Sequence, residues 1–411
     1  MEEKKFKINV NNIMYRFMLF LSFFCLIRPN YLSRVDFFNR IYIFIGIPIV
    51  VCIICKYVYD VINEKKVNKL LLVIIVYCFF LMLVALYKGI DFNIQSFSMI
   101  INSIGVSILM FISIKKDYYI TLDTLSKLLY IYAVINLASI IIFPDTLYTT
   151  DAYKHYNWFL GYKNEMIRTL LPALAIYSIK DMYKNKRLTK GFYFLMFVCI
   201  YTSWKVDSKT AIVGILLFCI AIIIFSKLKL PKFFNLKTVG LFIIIASITI
   251  TYFNGIAMFK NFFVLIGEEN DISTRILVWD RTINLIKESP IIGYGFRQTT
   301  QMRSLINLSL KWTYFSHPHN YVLYILLQGG IVGATMIIYM YTCVAKRCIR
   351  FKNSFTAKVL LFMYIAFLIM GLTESLTGAT LLYPMMIFTE IFFIEKDSQN
   401  SQRGDIVYEK K

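Results

Sequence analysis

The longest apolar runs of this chain contain no charged residue. Residues 71–87 (LLVIIVYCFFLMLVALY) and 211–225 (AIVGILLFCIAIIIF) are two of them. As helices, runs of this kind cross most of the ~30 Å hydrocarbon core of a membrane, where every backbone polar group must be satisfied within the segment. Only 17% of the residues are charged and 58% are hydrophobic, which excludes a soluble enzyme, a disordered scaffold and a disulfide-rich secreted module. The sequence therefore predicts an all-α, polytopic membrane protein.

Hydropathy divides the chain into about twelve spans, which form a single integral membrane domain over residues 1–411. The predicted spans are 13–28, 41–59, 69–87, 97–114, 124–143, 166–180, 191–206, 210–226, 236–254, 320–345, 357–373 and 378–394. Residues 395–411 are expected to form a cytoplasmic tail. No small-residue cleavage site precedes the first span, so we expect an uncleaved start.

Lysine and arginine set the predicted orientation. They concentrate in the even-numbered loops, as in residues 65–69, 184–190 and 346–352, and are scarcer in the short odd-numbered loops. The positive-inside rule therefore places the even-numbered loops and both termini in the cytoplasm. The same rule accounts for the net charge of +21, so membrane lipids are expected partners and nucleic acid is not. The eight cysteines lie in or beside apolar spans, which argues against a disulfide framework.

The long odd-numbered loop at 255–319, between spans nine and ten, is expected to be extracytoplasmic. Its length of about 65 residues is too great for a simple connection and indicates a functional loop. Within residues 273–289, apolar side chains recur at spacings of 3, 4 and 3, which predicts an amphipathic helix that ends before Pro290. A second short helix is expected at about 302–312.

Two of the three histidines lie where this loop re-enters the membrane, at His317 and His319. Pro318 suits the first turn of a helix, which would place His319 and Asn320 at the N-terminus of span ten. The helix dipole disfavours a positive imidazolium there, so we expect a neutral His319 that can act as a base. Free backbone N–H groups of the same turn would favour an anion. The alternative is that both histidines cap the helix and contact the membrane interface.

Outward-facing cations are a second signal. Arg275, Arg281 and Arg297 lie in the long loop, and Lys163 and Lys209 lie at the outer ends of spans six and eight. Arginine suits bidentate recognition of phosphate. Any one of these cations could instead contact lipid headgroups, but as a set around one cavity they are better explained by phosphate binding.

One carboxylate, Glu374, stands between two apolar spans in the segment GLTESLTG. An acid at that depth is costly and is usually functional or paired. The acidic run at 268–271 lacks the spaced ligands of a calcium loop, and the chain contains no HExxH, no DxD and no P-loop motif. We therefore expect neither a metal site nor a cofactor.

Taken together, these residues resemble the signature of O-antigen ligases and Wzy-type polysaccharide polymerases. In that family an Arg and a Trp precede a P-x-x-G-x-G turn, and a His-Asn pair opens the next span before a Gly-rich stretch. The matching residues are Arg275, Trp279, Pro290 to Gly295, His319-Asn320 and the run from Gly329 to Gly333.

Two upstream segments resemble the same family. Gly161-Tyr-Lys163-Asn164 is similar to its Gly-…-Lys-Asn segment, and Ser208-Lys209-Thr-Ala is similar to its Ser-Arg-Thr-Ala segment. Lys209 replaces the family's arginine, which keeps the charge and loses the bidentate fork. The resemblance covers roughly residues 160–380 by motif.

The resemblance implies a metal-independent glycosyltransferase with a GT-C-like fold in the bacterial cytoplasmic (inner) membrane. Its donor would be an undecaprenyl-pyrophosphate-linked oligosaccharide, and a flippase and a chain-length regulator would be its protein partners. His319 would be the base, Arg275 would stabilise the departing pyrophosphate, and Glu374 would be the next candidate for the base. The residues expected to bind substrate are Lys163, Asn164, Lys209, Arg281, Gly293, Gly295, Arg297, His317 and Asn320.

The family includes polymerases, whose acceptor is another lipid-linked repeat unit, and ligases, whose acceptor is lipid A core or a protein. A composition rich in Ile, Lys and Tyr is typical of a low-GC bacterium. A Gram-positive source would have no lipopolysaccharide, which favours the polymerase over the ligase. A lipid-linked oligosaccharide flippase is the alternative from another class. It should place cations along a central cavity, whereas the predicted spans here are nearly uncharged.

Overall fold

The computed structural model describes residues 10–90, 94–150, 155–225, 228, 235–252, 269–306, 317–376 and 381–402. The first helices are α1 Val10–Leu26, α2 Asp36–Ile41, α3 Ile47–Glu64, α4 Lys69–Tyr87 and α5 Ile94–Ile142. They are followed by α6 Ile167–Asn185, α7 Lys190–Lys205, α8 Lys209–Phe225, α9 Leu236–Tyr252 and α10 Glu269–Glu288. The last are α11 Thr299–Ile306, α12 Tyr321–Arg350, α13 Phe355–Met370 and α14 Leu382–Gln402.

Several of these helices suit a membrane. Within the described residues, four stretches are long and apolar enough to cross one, namely Asp36–Glu64, Lys69–Tyr87, Ser96–Ile142 and Tyr321–Arg350. Shorter apolar helices are Asn12–Leu26, Lys209–Phe225, Leu236–Thr251 and Phe355–Met370. The largely helical architecture is that of a polytopic membrane protein, as the apolar runs predict. The number of about twelve spans and the extracytoplasmic side of the long loop stay predictions.

The described residues are mostly helical, as the predicted all-α class requires, but the sequence did not predict the short sheet at residues 148–150 and 155–162. A three-stranded antiparallel sheet lies there, with strands β1 Tyr148–Thr150, β2 His155–Trp158 and β3 Gly161–Tyr162 in that order. Asn157 in the middle strand lies opposite Tyr148 on one side and Tyr162 on the other. These strands contain aromatic and β-branched residues, which favour extended backbone, but each is too short to give a clear alternating pattern in the sequence.

Contacts divide the chain into two units. The first comprises Met1–Lys66, Gly105–Thr202 and Ile391–Lys411, and the second comprises Val67–Ile104 and Ser203–Glu390. The sheet and α6 belong to the first unit. The helices α8 to α13 belong to the second unit, which also holds the histidines of the His-Pro-His segment.

In the first unit, α5 is interrupted at Asp117, whose φ of −161° and ψ of 99° are extended. Its carboxylate accepts a hydrogen bond from the Ile120 N–H at 2.8 Å, which caps the following helical segment. Beyond this break, the buried Asp123 accepts from Arg16 at 2.7 Å and from Lys127 at 2.9 Å. Predicted spans four and five are therefore the two segments of α5 on either side of Asp117.

In the second unit, α8 and α13 pack closely. A Cβ atom on Gly214 would lie 2.3 Å from Met370 Sδ, so a larger residue there would require the Met370 side chain to move. Near the other end of α8, Lys358 Nζ donates to the carbonyl of Phe225 at 3.0 Å and to that of Leu228 at 2.8 Å. A cation at a helix C-terminus satisfies carbonyls that have no helical partner and interacts favourably with the dipole.

The amphipathic helix of the long loop is present as α10, although it begins at Glu269 and not at Ser273. Its buried Val278 and Leu285 pack with Leu327 of α12 and with α11. The second predicted helix corresponds to α11, which spans Thr299–Ile306 and so begins before residue 302. Residues 253–268 and 307–316 of the loop lie outside the described residues.

Candidate active site

Arg275 projects from α10 towards the segment that follows α13. Its Nη1 donates to the backbone carbonyl of Thr373 at 2.9 Å. The guanidinium is mostly buried, and its Nη2 lies 3.9 Å from Glu374 Oε1. A guanidinium is a planar cation with five N–H donors. These contacts fix the position of the Arg275 cation against the backbone before Glu374.

Trp279, one turn further along α10, fixes the His-Pro-His segment. Its indole Nε1 donates to the carbonyl of Pro318 at 2.8 Å, and its ring is buried against Leu323 of α12. A buried indole N–H normally requires such an acceptor. This bond connects the helix that carries Arg275 to the residue directly before His319.

His319 lies outside the helix that the sequence predicted for it. The helix α12 begins at Tyr321, so Pro318 is not in its first turn, and His319 adopts a left-handed conformation with φ of 50°. A non-glycine residue rarely adopts this conformation unless its surroundings impose it. The ring of His317 lies against that of His319, with 4.2 Å between centroids at an angle of 64°. The two imidazoles therefore form one polar patch ahead of α12.

Glu374 lies between Arg275 and His319. Its Oε1 is 3.9 Å from Arg275 Nη2, and its Oε2 is 3.5 Å from His319 Nδ1. The residue is only 7% exposed. A buried carboxylate is costly unless it is paired, and the neighbouring guanidinium provides that pairing. The structure thus brings together the three residues that the sequence identified as catalytic candidates, and we refer to them as the Arg-Glu-His cluster.

Asn320 connects α12 to the backbone that leads to Glu374. It is fully buried and is the N-cap of α12, because its Oδ1 accepts from the Leu323 N–H at 3.0 Å. Its Nδ2 donates to the carbonyl of Leu372 at 3.1 Å and to Ser247 Oγ at 3.4 Å. Asn320 therefore bonds the backbone segment before Glu374 to the start of α12. Substrate binding by this side chain stays a prediction.

The helix α12 is broken at Gly330, and the P-x-x-G-x-G turn of residues 290–295 bonds to its backbone there. At Gly330 the φ of 56° and ψ of −156° are values that glycine adopts far more readily than other residues. The break interrupts the helical hydrogen bonds of carbonyls before it and of N–H groups after it. The turn bonds to four of these groups, namely two carbonyls before the break and two N–H groups after it.

The four replacement bonds run in both directions. They are Tyr294 N–H to Leu327 O at 2.9 Å, Gly295 N–H to Gln328 O at 2.8 Å, Ile331 N–H to Pro290 O at 2.9 Å and Val332 N–H to Ile291 O at 3.1 Å. A Cβ on Gly293 would lie 2.7 Å from the Gln328 carbonyl, and one on Gly295 would lie 2.2 Å from Ala85 N. These contacts explain why glycine occupies both positions. A substrate-binding role for Gly293 and Gly295 stays a prediction.

The other predicted substrate-binding residues are distributed over both units. Arg281 Nη1 is 4.0 Å from Glu288 Oε1, and the Arg297 guanidinium is 5.7 Å from the centroid of the Tyr294 ring. Lys209 is exposed at the start of α8 in the second unit. Lys163 and Asn164 follow β3 in the first unit, and both are partly buried. Their proposed contacts with substrate stay predictions.

Sequence reasoning missed the backbone that supports the cluster. The carbonyls of Gly371, Leu372 and Thr373 accept from Tyr321 N–H, Asn320 and Arg275 respectively. Backbone carbonyls are present at every residue, so no residue type could have identified them. The only signal was their position directly before the buried Glu374.

The fold and this cluster define a helical membrane protein with a buried carboxylate held between an arginine and a histidine. Residues 191–338 match a family model described as O-Antigen ligase. The resemblance that the sequence motifs indicate is therefore confirmed over this segment. The segment includes Lys209, Arg275 and His319, whereas Lys163 and Glu374 lie outside it.

Two relatives resemble the chain in part. One is a ComP-specific O-oligosaccharyltransferase of Acinetobacter baylyi, 26% identical over 191 residues that cover 45% of this chain and 34% of that protein. Another is a protein of Rickettsia typhi described as a candidate polysaccharide ligase, 24% identical over 227 aligned positions that cover 44% of this chain and 55% of that protein. The chain thus spans about a third of the length of the first relative and about half of the second.

Proposed function

We propose that this protein transfers a glycan from a lipid-pyrophosphate carrier to an acceptor hydroxyl at the outer face of the cytoplasmic membrane. The observation that carries the proposal is the Arg-Glu-His cluster, in which one buried carboxylate contacts both a cation and an imidazole. The match to the O-antigen ligase family and the names of the two relatives support glycan transfer. They favour a ligase over the polymerase that the composition suggested.

The proposed reaction needs a base and a stabilised leaving group. The acceptor oxygen attacks the anomeric carbon, the bond from that carbon to the phosphate oxygen breaks, and the pyrophosphate leaves with the electron pair. His319 Nδ1 lies 3.5 Å from Glu374 Oε2. In the tautomer with the proton on Nδ1, Nε2 has a lone pair that can take the proton of the acceptor hydroxyl. Glu374 would fix this tautomer and favour the imidazolium that forms.

Arg275 would stabilise the charge that develops on the pyrophosphate. A guanidinium is a cation whose N–H groups form charge-assisted hydrogen bonds with phosphate oxygens. Fixed cations at a developing anion are a principal source of rate enhancement. We propose that arginine here replaces the divalent cation used by many other glycosyltransferases, and addition of a chelator should therefore leave the rate unchanged.

A reconstituted transfer assay tests the proposal. The protein is placed in liposomes with an undecaprenyl-pyrophosphate-linked fluorescent oligosaccharide, with and without a separate acceptor. Arg275→Ala should lower the rate by ~10²–10³-fold, as loss of a charge-stabilising donor does in other enzymes, and Arg275→Lys should retain part of the activity. Arg350→Ala, which changes an exposed arginine at the far end of α12, is the matched control and should transfer at the wild-type rate.

The products distinguish the candidate activities. A ligase requires the separate acceptor and adds one glycan to it, whereas a polymerase lengthens the lipid-linked oligosaccharide into a ladder without it. A ladder of lengthened lipid-linked products would support the polymerase and not the ligase. Movement of the donor across the bilayer without any new glycosidic bond would contradict transfer and support the flippase. If Arg275→Ala transfers glycan at the wild-type rate, the role of this arginine is only to anchor α10.

A further inference from the structure

A second group of charged residues surrounds Tyr294, at the end of α4. We name Lys88, Arg281, Glu288, Tyr294 and Arg297 the Tyr294 cluster. Lys88 Nζ lies 5.2 Å from the centroid of the Tyr294 ring, and the Arg297 guanidinium carbon lies 5.7 Å from the same centroid. Both distances are within the range of cation–π attraction. Two cations, from segments about 210 residues apart in sequence, are thus held against a single ring.

Backbone contacts position this cluster. The Phe296 N–H donates to the carbonyl of Leu81 at 2.9 Å, so the turn that carries Tyr294 and Arg297 is bonded to the last turns of α4. Gly295 lies so close to Ala85 that a side chain would collide with the helix backbone. Lys88 directly follows α4 as its C-cap. The arrangement therefore depends on backbone packing and not on the chance positions of long side chains.

The charges of the cluster are not balanced. Glu288 is its only carboxylate, and it accepts from the Tyr294 hydroxyl at 2.9 Å while Arg281 lies 4.0 Å away. Desolvation lowers the pKa of Arg297. Desolvation and the hydrogen bond to Glu288 together raise the pKa of Tyr294 to about 12, so the phenol stays neutral. Three cations thus share a single acid in a half-buried site.

Two of these cations also have buried donors to satisfy. The Nε atoms of Arg281 and Arg297 are inaccessible to solvent and have no acceptor among the residues that the structure describes. A buried N–H on a charged group is costly when it has no acceptor. An anion with several oxygens would supply acceptors and balance the charge. Phosphate has this chemistry, and arginine recognises it well.

The location of the cluster indicates that this phosphate is carried by a lipid. The apolar helix α4 has no charged residue after Lys69 and ends at Tyr87, which is 78% exposed. Lys88 follows at the boundary between apolar and polar sequence. Leu83 on the last turns of α4 and Ile291 in the docked turn are also exposed. Apolar side chains that face lipid next to cations are typical of sites for lipid headgroups.

We propose that the Tyr294 cluster binds a lipid-borne phosphate at the membrane surface, through Lys88, Arg281 and Arg297. The site is separate in its contacts from the Arg-Glu-His cluster, and binding there does not require glycan transfer. The phosphate belongs either to an anionic phospholipid or to an isoprenoid pyrophosphate. Both present the same oxygens, and the experiment below distinguishes them.

The test measures lipid binding to the purified full-length protein in detergent, by native mass spectrometry. The probes are phosphatidylglycerol and undecaprenyl pyrophosphate, with zwitterionic phosphatidylcholine as a reference. The double variant Lys88→Gln/Arg297→Gln should lose affinity for an anionic probe by about 25-fold, because each basic residue near an anionic surface contributes about fivefold. Lys287→Gln removes one positive charge from an exposed position of the same loop and should change affinity by less than about twofold.

Each outcome has a defined meaning. Loss confined to phosphatidylglycerol assigns the site to a phospholipid headgroup, and loss confined to undecaprenyl pyrophosphate assigns it to the isoprenoid. Wild-type affinity of the double variant for both probes would overturn the proposal, as would an equal loss in Lys287→Gln. The charge-retaining Arg297→Lys controls for folding and should keep most of the affinity. Because the readout is binding, a failed transfer assay would leave this proposal standing.

Discussion

The glycine at the break in α12 offers a quantitative test of how the loop is fixed to the membrane helices. In Gly330→Ala the new Cβ would lie 2.4 Å from the carbonyl carbon and oxygen of Ile291, which are backbone atoms and cannot rotate away. The φ of 56° and ψ of −156° add strain of on the order of 1–3 kcal/mol for a residue with a side chain. Relief of the overlap in a packed interior costs about 1–3 kcal/mol more. The sum is roughly 2–6 kcal/mol.

Gly333→Ala is the matched control, one turn further along α12. Its Cβ would meet Tyr77 Cε2 at 3.5 Å, which is ordinary contact, and alanine in a helix interior is favoured over glycine by about 1 kcal/mol. Thermal denaturation of the detergent-purified proteins, followed by the fraction that stays monodisperse, compares the two. Gly330→Ala should denature several degrees below wild type and Gly333→Ala should not. Equal midpoints would refute the idea that the turn docked into this break stabilises the protein.

Three further expectations follow from single contacts. Trp279→Phe keeps the ring but loses the bond to Pro318, so turnover should fall, with a loss of about 1 kcal/mol in stability measured by denaturation. Lys358→Met leaves the carbonyls of Phe225 and Leu228 without their donor and should destabilise the protein by ~1–3 kcal/mol in the same assay. Excess chelator should leave the transfer rate unchanged, and a rate restored only by added Mg²⁺ or Mn²⁺ would contradict charge stabilisation by arginine.

Elements with a strong periodic or apolar signal could be predicted closely. The span predicted at 69–87 coincides with α4, because an uninterrupted apolar run has one clear solution in a membrane. The amphipathic helix of the long loop was predicted from its apolar spacing, but its start was displaced because Glu269–Asp271 carry no apolar signal. The sheet formed by residues 148–150, 155–158 and 161–162 was missed, since its strands have only two to four residues.

The candidate site was predictable as residues but not as an arrangement. Arg275, His319 and Glu374 were each identified by residue type and position, yet their contacts join parts of the chain that periodicity cannot relate. His319 was expected inside a helix, because the preference of Pro318 for a first turn is local. The structure instead begins the helix after Asn320, whose side chain caps it and also binds the carbonyl of Leu372.

The glycines of the P-x-x-G-x-G turn illustrate the same limit. Gly293 and Gly295 were expected to contact substrate because the motif precedes the histidines. Their described contacts are with the backbone of α12 and α4. That docking requires the break at Gly330, and no local sequence preference indicates that a break will be filled by a turn from elsewhere.

The central claim, that His319 activates the acceptor, is tested most directly by separating turnover from donor binding in two variants. General-base catalysis typically contributes ~10²–10⁴-fold, so His319→Ala should lose at least about 100-fold in turnover while its affinity for the lipid-pyrophosphate donor changes by only a few-fold. His317→Ala, which alters the neighbouring ring, should have a much smaller effect on turnover. Equal losses in both variants, or a His319→Ala enzyme with normal turnover and weak donor binding, would contradict the account and make Glu374 the next base to test.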